Sequence, residues 1–284
     1  MEEFTLKHRQ YSVHVYKSGS GMIPLVLLHG GGLDSAMLSW KEVMAALPET
    51  YTAYAVDMLG YGKSSKPDDM AGSEFYEKHF ACLEDVVSQL GLSPFCLSGI
   101  SLGGAFSIGY ALRNPEQVAA LIPVDAWGLV SRMPCHWFYY WFVHTSLQKR
   151  SYRWIANSPA MARWSIRSSL FGDPGNIKQE LVDEIVALCK VPDADAPMHD
   201  YQVSSLSRHG VTPDYTARFC ELEMPALFIN GEKDTLVPAK ASARAADAAP
   251  LGELYIMRGC KHWPQKEHPE EYVRIVDAFI RRVW

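Results

Sequence analysis

The chain has 284 residues, 48% of them hydrophobic and 21% charged. That size and balance suit one sizeable soluble domain carrying an insertion, or two small domains. Its 27 Lys and Arg against 32 Asp and Glu leave a formal net charge of −5, which argues against nucleic acid as a partner, because that usually demands a basic face.

In chain order, Met1-Glu2-Glu3-Phe4-Thr5-Leu6 is acidic, with no apolar signal-peptide core. Tyr11 to Tyr16 alternates as a strand does. Pro24 to Leu28 is a continuous apolar run ending at His29-Gly30-Gly31-Gly32. Such runs fit strands buried on both faces, as in a parallel sheet. Trp40 to Leu47 has helical spacing, and Tyr51 to Val56 reads as another strand, closed by Asp57-Met58-Leu59-Gly60-Tyr61-Gly62-Lys63-Ser64. Phe75 to Leu90 is a long amphipathic helix. Next come a short apolar strand, Pro94 to Ser98, the turn Gly99-Ile100-Ser101-Leu102-Gly103-Gly104, and an apolar helix ending near Asn114-Pro115. Val118 to Val124, Pro225 to Ile229 and Glu253 to Met257 supply three more strands, and Pro269 to Val283 a closing helix. Strand–helix alternation of this kind predicts an α/β fold: a mostly parallel twisted sheet with helices on both faces. Polar clusters fall at the carboxyl ends of the strands, where such sheets build their sites.

Residues 127–208 break the rhythm. Strand patterns fade and aromatics crowd, including Trp127, Trp137, Trp141, Trp154, Trp164 and Phe171. We expect an inserted helical lid over 127–208, with the core formed by 1–126 and 209–284. Its aromatics glue lid to core, and a subset faces a mostly apolar pocket. The apolar run Trp137 to Val143 is far shorter than the roughly 20 residues a bilayer span needs. Taken alone it also lacks a basic face, so no stable membrane association is expected. The aromatic lid surface offers a face that a homodimer would bury. The six cysteines are scattered without a Cys-x-x-Cys pair, which predicts a reduced, cytoplasmic protein without disulfides or a zinc site.

Gly99-x-Ser101-x-Gly103 between a strand and a helix describes a nucleophile elbow, a strained turn that lifts a serine hydroxyl clear of the sheet. A serine needs a base. His262 follows the last strand, where a loop reaches over the elbow. The histidine needs a carboxylate to hold its tautomer. Asp234, after the preceding strand, completes the order Ser, Asp, His, and Asp125 is the competitor. An oxyanion needs backbone donors: Leu102 directly after the nucleophile, and Gly31 in the glycine loop. His29 fixes that loop by hydrogen bonds, and Asp57 fixes the Gly60-Tyr61-Gly62 turn. Gly32 and Trp263 are candidate substrate contacts. The reaction calls for no metal or organic cofactor, and its partner is a small molecule.

Together His29-Gly30-Gly31-Gly32, Asp57-x-x-Gly60-x-Gly62-x-Ser64, Gly99-x-Ser101-x-Gly103-Gly104, Asp234 and His262 resemble the α/β-hydrolase superfamily. Within it, His262-Trp263-Pro264-Gln265-x-Glu267-His268-Pro269 is similar to the C-terminal signature of the meta-cleavage-product C–C hydrolases. Two positions depart from that subgroup: Ile100 stands where the resemblance implies asparagine, and Ile185 follows Glu180-Leu181-Val182-Asp183-Glu184 where it implies arginine. Arg163 and Arg167 are the lid arginines available to substitute. The departures imply a more apolar substrate. The expected function is hydrolysis of a small or medium carboxylic ester through an acyl-enzyme. The alternatives are C–C cleavage, a proline-aminopeptidase-like activity using Asp193, Asp195 or Asp200 to grip an amine, and a receptor that keeps the triad as a pocket.

Overall fold

The computed structural model describes every residue except Pro134, Ser146 and the side chain of Gln148. Eight strands form one sheet: β1 Glu2–His8, β2 Tyr11–Ser18, β3 Ile23–Leu28, β4 Tyr51–Val56, β5 Phe95–Ile100, β6 Val118–Val124, β7 Ala226–Gly231 and β8 Gly252–Met257. Their order is β1-β2-β4-β3-β5-β6-β7-β8. The β1–β2 and β2–β4 pairs are antiparallel, and every pair from β4 to β8 is parallel.

Side-chain alternation along the strands splits the core into two layers. Val26, Leu28, Phe95 and Leu97 face one side, packed with α2 (Phe75–Leu90) and α3 (Leu102–Arg113), which follow α1 (Ala36–Ala46) in the chain. Leu25, Leu27, Cys96 and Ile100 face the other side. Trp40 and Val43 of α1 cover that layer, with the closing helix Pro269–Val283. Burial on both faces is why these strands read as unbroken apolar runs.

The chain leaves β3 toward β4 on one side, then returns to place β5 on the other. This reversal opens a crevice at the carboxyl ends of β3 and β5, the place where open α/β sheets bind ligands. The His29–Gly32 loop and Ser101 both lie there.

Between β6 and β7 the described chain is helical: α4 His136–Val143, α5 Leu147–Asn157, α6 Pro159–Ser165 continuing into a π-helical turn Ile166–Leu170, α7 Gln179–Cys189 and α8 Ala196–Ser205. Beyond β7 come α9 Ala239–Ala248, α10 Pro264–Glu267 and α11 Pro269–Val283. None of the described helices is long and apolar enough to cross a membrane. All six cysteines are free thiols.

Three features go beyond the sequence reading. Strand β1 lies at the sheet edge, and only its Phe4-Leu6-His8 alternation points inward. Helix α1 begins at Ala36, four residues before its apolar spacing is legible, because the Ser35 hydroxyl caps it by accepting from Leu38 N. Helix α9 has no large apolar residue. Its small Ala241 and Ala245 let it pack closely on the sheet.

Candidate active site

The elbow is built by steric necessity. Ser101 adopts φ 54° and ψ −113°, in the positive-φ region that non-glycine residues rarely enter. Its backbone is held from three sides: Ser101 N donates to Val124 O at 2.9 Å, and Ser101 O accepts from Trp127 N at 2.9 Å and Ala105 N at 3.1 Å. A Cβ at Gly99 would lie 2.1 Å from Gly103 O, and one at Gly103 would lie 2.3 Å from Leu28 O. Strand β5, helix α3 and the end of β3 therefore meet only because both positions lack a side chain.

His262 and Asp234 are both buried. His262 Nδ1 lies 2.7 Å from Asp234 Oδ2, and Asp234 Oδ1 accepts from Leu236 N at 2.7 Å. The partner at Nδ1 assigns the proton there and leaves Nε2 with its lone pair. Burial pushes the Asp234 carboxyl upward. The His262 charge and hydrogen bond, a hydrogen bond from Asp125 and the Leu236 N–H outweigh it and hold the group below the usual carboxylate range. The His262 loop is braced from the helical segment: His262 N donates to Ser169 O at 3.4 Å and Trp263 N to Leu170 O at 3.0 Å. No hydrogen bond joins Ser101 Oγ to His262 among the described residues; such contacts commonly tighten only when substrate binds.

Asp125 is fully buried behind this pair, with φ 40°. One polar atom each from Asp125, Asp234 and His262 lie within 4.8 Å of one another. Asp125 Oδ1 accepts from Gly231 N at 3.0 Å, while Oδ2 meets no N–H or hydroxyl donor. Burial, and then the Asp234 charge, push the Asp125 carboxyl well above the usual range. The opposed directions favour a proton on Asp125 rather than on Asp234. The cluster has the donor types of a cation site. However, Nδ1 of His262 is committed to Asp234 by its proton and offers no lone pair to an ion.

The loop after β3 overlies the elbow. A Cβ on Gly30 would lie 3.5 Å from Ser101 Cβ, and one on Gly31 would lie 3.6 Å from Leu102 Cδ2. His29 Nε2 accepts from Met58 N at 3.1 Å, so Nδ1 carries the proton and donates to Gly30 O at 2.7 Å. Gly30 N is taken by Asp34 Oδ2 at 2.7 Å. Among the described residues, Gly31 N and Leu102 N have no partner. Asp57 holds the neighbouring turn through Lys63 N and Ala36 N, both at 2.8 Å.

The sequence reading missed Asp34. Its carboxyl accepts from Gly30 N, Ser35 N and Ser39 Oγ and so sets the loop's shape. Its position four residues past Gly30, just before Ser35, was the available signal. The reading also missed Met198 and Tyr201, and it held Tyr152 only as one of the crowded aromatics of 127–208. Tyr152 Oη and Met198 Sδ lie 3.6 Å from a Cβ built on Gly32, and the Tyr201 ring lies 3.0 Å from one on Gly31. No local motif marks these three. Trp263 is buried in the core layer of α1 and α11, and Ile100 is fully buried in the same layer. Arg163 donates to Ile177 O and Gln179 Oε1, both at 2.8 Å, while Arg167 is exposed. Asp193 is exposed and lies 3.7 Å from Lys149, and Asp195 and Asp200 are half-buried.

Known proteins are similar to this chain along most of its length. A 2-hydroxy-6-oxononadienedioate/2-hydroxy-6-oxononatrienedioate hydrolase of Burkholderia vietnamiensis is 28% identical over 275 residues, covering 95% of this chain and 91% of its own. A 2-hydroxy-6-oxo-6-(2'-aminophenyl)hexa-2,4-dienoic acid hydrolase of Metapseudomonas resinovorans is 24% identical, covering 94% and 86%. Among solved structures, a meta-cleavage product hydrolase of Pseudomonas fluorescens superposes with a TM-score of 0.80 at 21% identity, covering 98% of this chain and 97% of its own. A carboxylesterase of Bacillus subtilis does so with 0.75 at 24%, covering 98% and 91%. These relatives are hydrolases, and the family model described as the alpha/beta hydrolase fold matches residues 23–269. With an eight-stranded sheet of that architecture and a serine at its elbow, the chain belongs to the α/β-hydrolase family.

Proposed function

We propose that the protein is a serine hydrolase that cleaves a small or medium carboxylic ester through an acyl-enzyme. The observation that carries the reading is the strained Ser101 with two unpartnered N–H groups near it in the fold, Leu102 directly after it and Gly31 in the loop whose Gly30 approaches Ser101. Unused backbone donors next to a strained serine suit an oxyanion that exists only during reaction. Ser101 Oγ adds to the carbonyl carbon as His262 Nε2 takes its proton, and Asp234 stabilises the imidazolium. The tetrahedral intermediate collapses, and the alkoxide leaves with the proton from His262. Water, deprotonated by the same nitrogen, then adds to the acyl-enzyme and releases the acid and Ser101. Helices α4–α8 serve as the lid, with Tyr152, Met198 and Tyr201 lining the acyl pocket beside Gly32.

C–C cleavage of a vinylogous diketone is the second reading, favoured by the hydrolases similar to this chain along 94–95% of its length. Buried Ile100 and the outward or tied lid arginines favour the ester, because neither supplies a polar grip for a dienoate. The test is hydrolysis of p-nitrophenyl esters from acetate to decanoate beside Ser101→Ala. A serine-dependent rate with a chain-length optimum supports the ester reading. Serine-dependent loss of a coloured dienol substrate, without ester turnover, replaces it with C–C cleavage. Ester turnover retained in Ser101→Ala removes the nucleophile assignment.

A further inference from the structure

The helical segment between β6 and β7 has an outer surface that the chemistry at Ser101 does not use. Trp137, Phe138 and Trp141 on α4, Trp154 on α5 and Trp164 on α6 are each more than half exposed. Isolated exposed apolar residues are ordinary, but a concentration of large aromatics on successive helices marks an interaction surface.

Charge says what kind of surface. Residues 126–172 contain six Lys or Arg and not one Asp or Glu, in a chain where acidic residues outnumber basic ones 32 to 27. Arg132, Arg150, Arg153 and Arg167 are exposed and have no acidic partner among the described residues. Helix α5 joins this charge to the site. Its Tyr152 reaches the Gly32 loop, while Arg150, Arg153 and Trp154 face solvent. The aromatic run of α4 carries no cation of its own; the fold supplies them from α5, against which α4 packs.

We infer that this outer face docks reversibly on an anionic phospholipid bilayer. Indole rings suit the headgroup boundary, being apolar in body and polar at the N–H, and unpaired cations suit an acidic lipid surface. Within residues 126–172 no carboxylate accompanies these rings; the exposed Asp193 lies beside Lys149 of α5. A second copy would set the unpaired cations of one face against those of the other. Docking places the Tyr152 side of α5, and with it the site, directly behind the lipid surface. The inference stands on the surface alone and does not depend on which bond the site cleaves.

Co-sedimentation with vesicles tests it, using phosphatidylcholine alone and phosphatidylcholine with about 30% phosphatidylserine. The protein is expected to partition onto the acidic vesicles at low salt and to be released at about 0.5 M salt. Arg150→Gln with Arg153→Gln is expected to weaken partitioning by about fivefold per cation. Trp137→Ser with Trp141→Ser should weaken it as well, and all four positions are exposed, so the thermal midpoint should stay unchanged. Equal partitioning onto both vesicle types, or none onto either, overturns the inference. So does acidic-vesicle binding that none of these substitutions alters. A dimer in sedimentation velocity that dissociates in the tryptophan variant, without vesicle binding by either protein, overturns it in favour of self-association.

Discussion

Glu267 is the bolt between the helical segment and the strand-end loops. It is buried, with Oε2 accepting from Gly172 N at 2.7 Å and Oε1 from Asp173 N at 2.7 Å and Asn176 Nδ2 at 3.4 Å. Hydrogen bonds to a carboxylate contribute about 1.5–3 kcal/mol each, and a buried N–H left unpaired costs about 1–3 kcal/mol. Glu267→Ala removes both short bonds at once, so we expect a loss of about 3–5 kcal/mol. At about 2–4 °C per kcal/mol for a chain of this order, the midpoint should fall by roughly 6–20 °C. Glu267→Gln separates charge from packing. It keeps the volume and one acceptor, but turns an amide donor against one of the two backbone N–H groups, so it should lose at least half as much as alanine. Turnover should fall too, because Ser169 O and Leu170 O, just before Gly172, hold the backbone of His262 and Trp263. Misplacement of a catalytic base by about an ångström costs about a hundredfold. Thermal unfolding by circular dichroism and the ester assay read the two effects. A Glu267→Gln protein with unaltered midpoint and rate would refute the reasoning, since packing alone would then hold the segment.

Three other expectations follow from buried groups. Asp125→Asn keeps an acceptor for Gly231 N and a donor toward Asp234 and should stay active, whereas Asp125→Ala should lose about 2–4 kcal/mol in chemical denaturation through unpaired groups. His79 is buried against Phe75 O and Leu59 O, and burial lowers its pKa from 6.5 to about 4. The unfolded chain therefore binds the extra proton first, so stability is present above pH 6.5 and falls by about 3 kcal/mol as the pH drops to about 4. Denaturation midpoints across that range should show the slope in the wild type, and His79→Leu should lose this contribution. Gly103→Ala would press a methyl to 2.3 Å from Leu28 O and 2.4 Å from His29 O, both backbone atoms. It should destabilise by about 3 kcal/mol or more and slow ester turnover, and a wild-type midpoint would show that the elbow is not wedged against β3.

The sheet, the elbow and the order of Ser101, Asp234 and His262 were legible from the chain alone because each is written locally. A strand buried on both faces must be apolar throughout, as Pro24–Leu28 is. A strand–serine–helix turn must be flanked by glycine, as Ser101 is by Gly99 and Gly103. Edge strand β1 and alanine helix α9 escaped because exposure and small side chains erase that pattern. Only the tertiary structure decided that Asp34 shapes the glycine loop, that Asp125 backs Asp234 from one strand away, and that Glu267 reaches some ninety residues back to Gly172 and Asp173. It also decided that Tyr152, Met198 and Tyr201 arrive at Gly31 and Gly32 from two separate helices. These are contacts between residues with no fixed sequence spacing. Periodicity says which face of an element is buried, but what that face meets is set by how the elements pack.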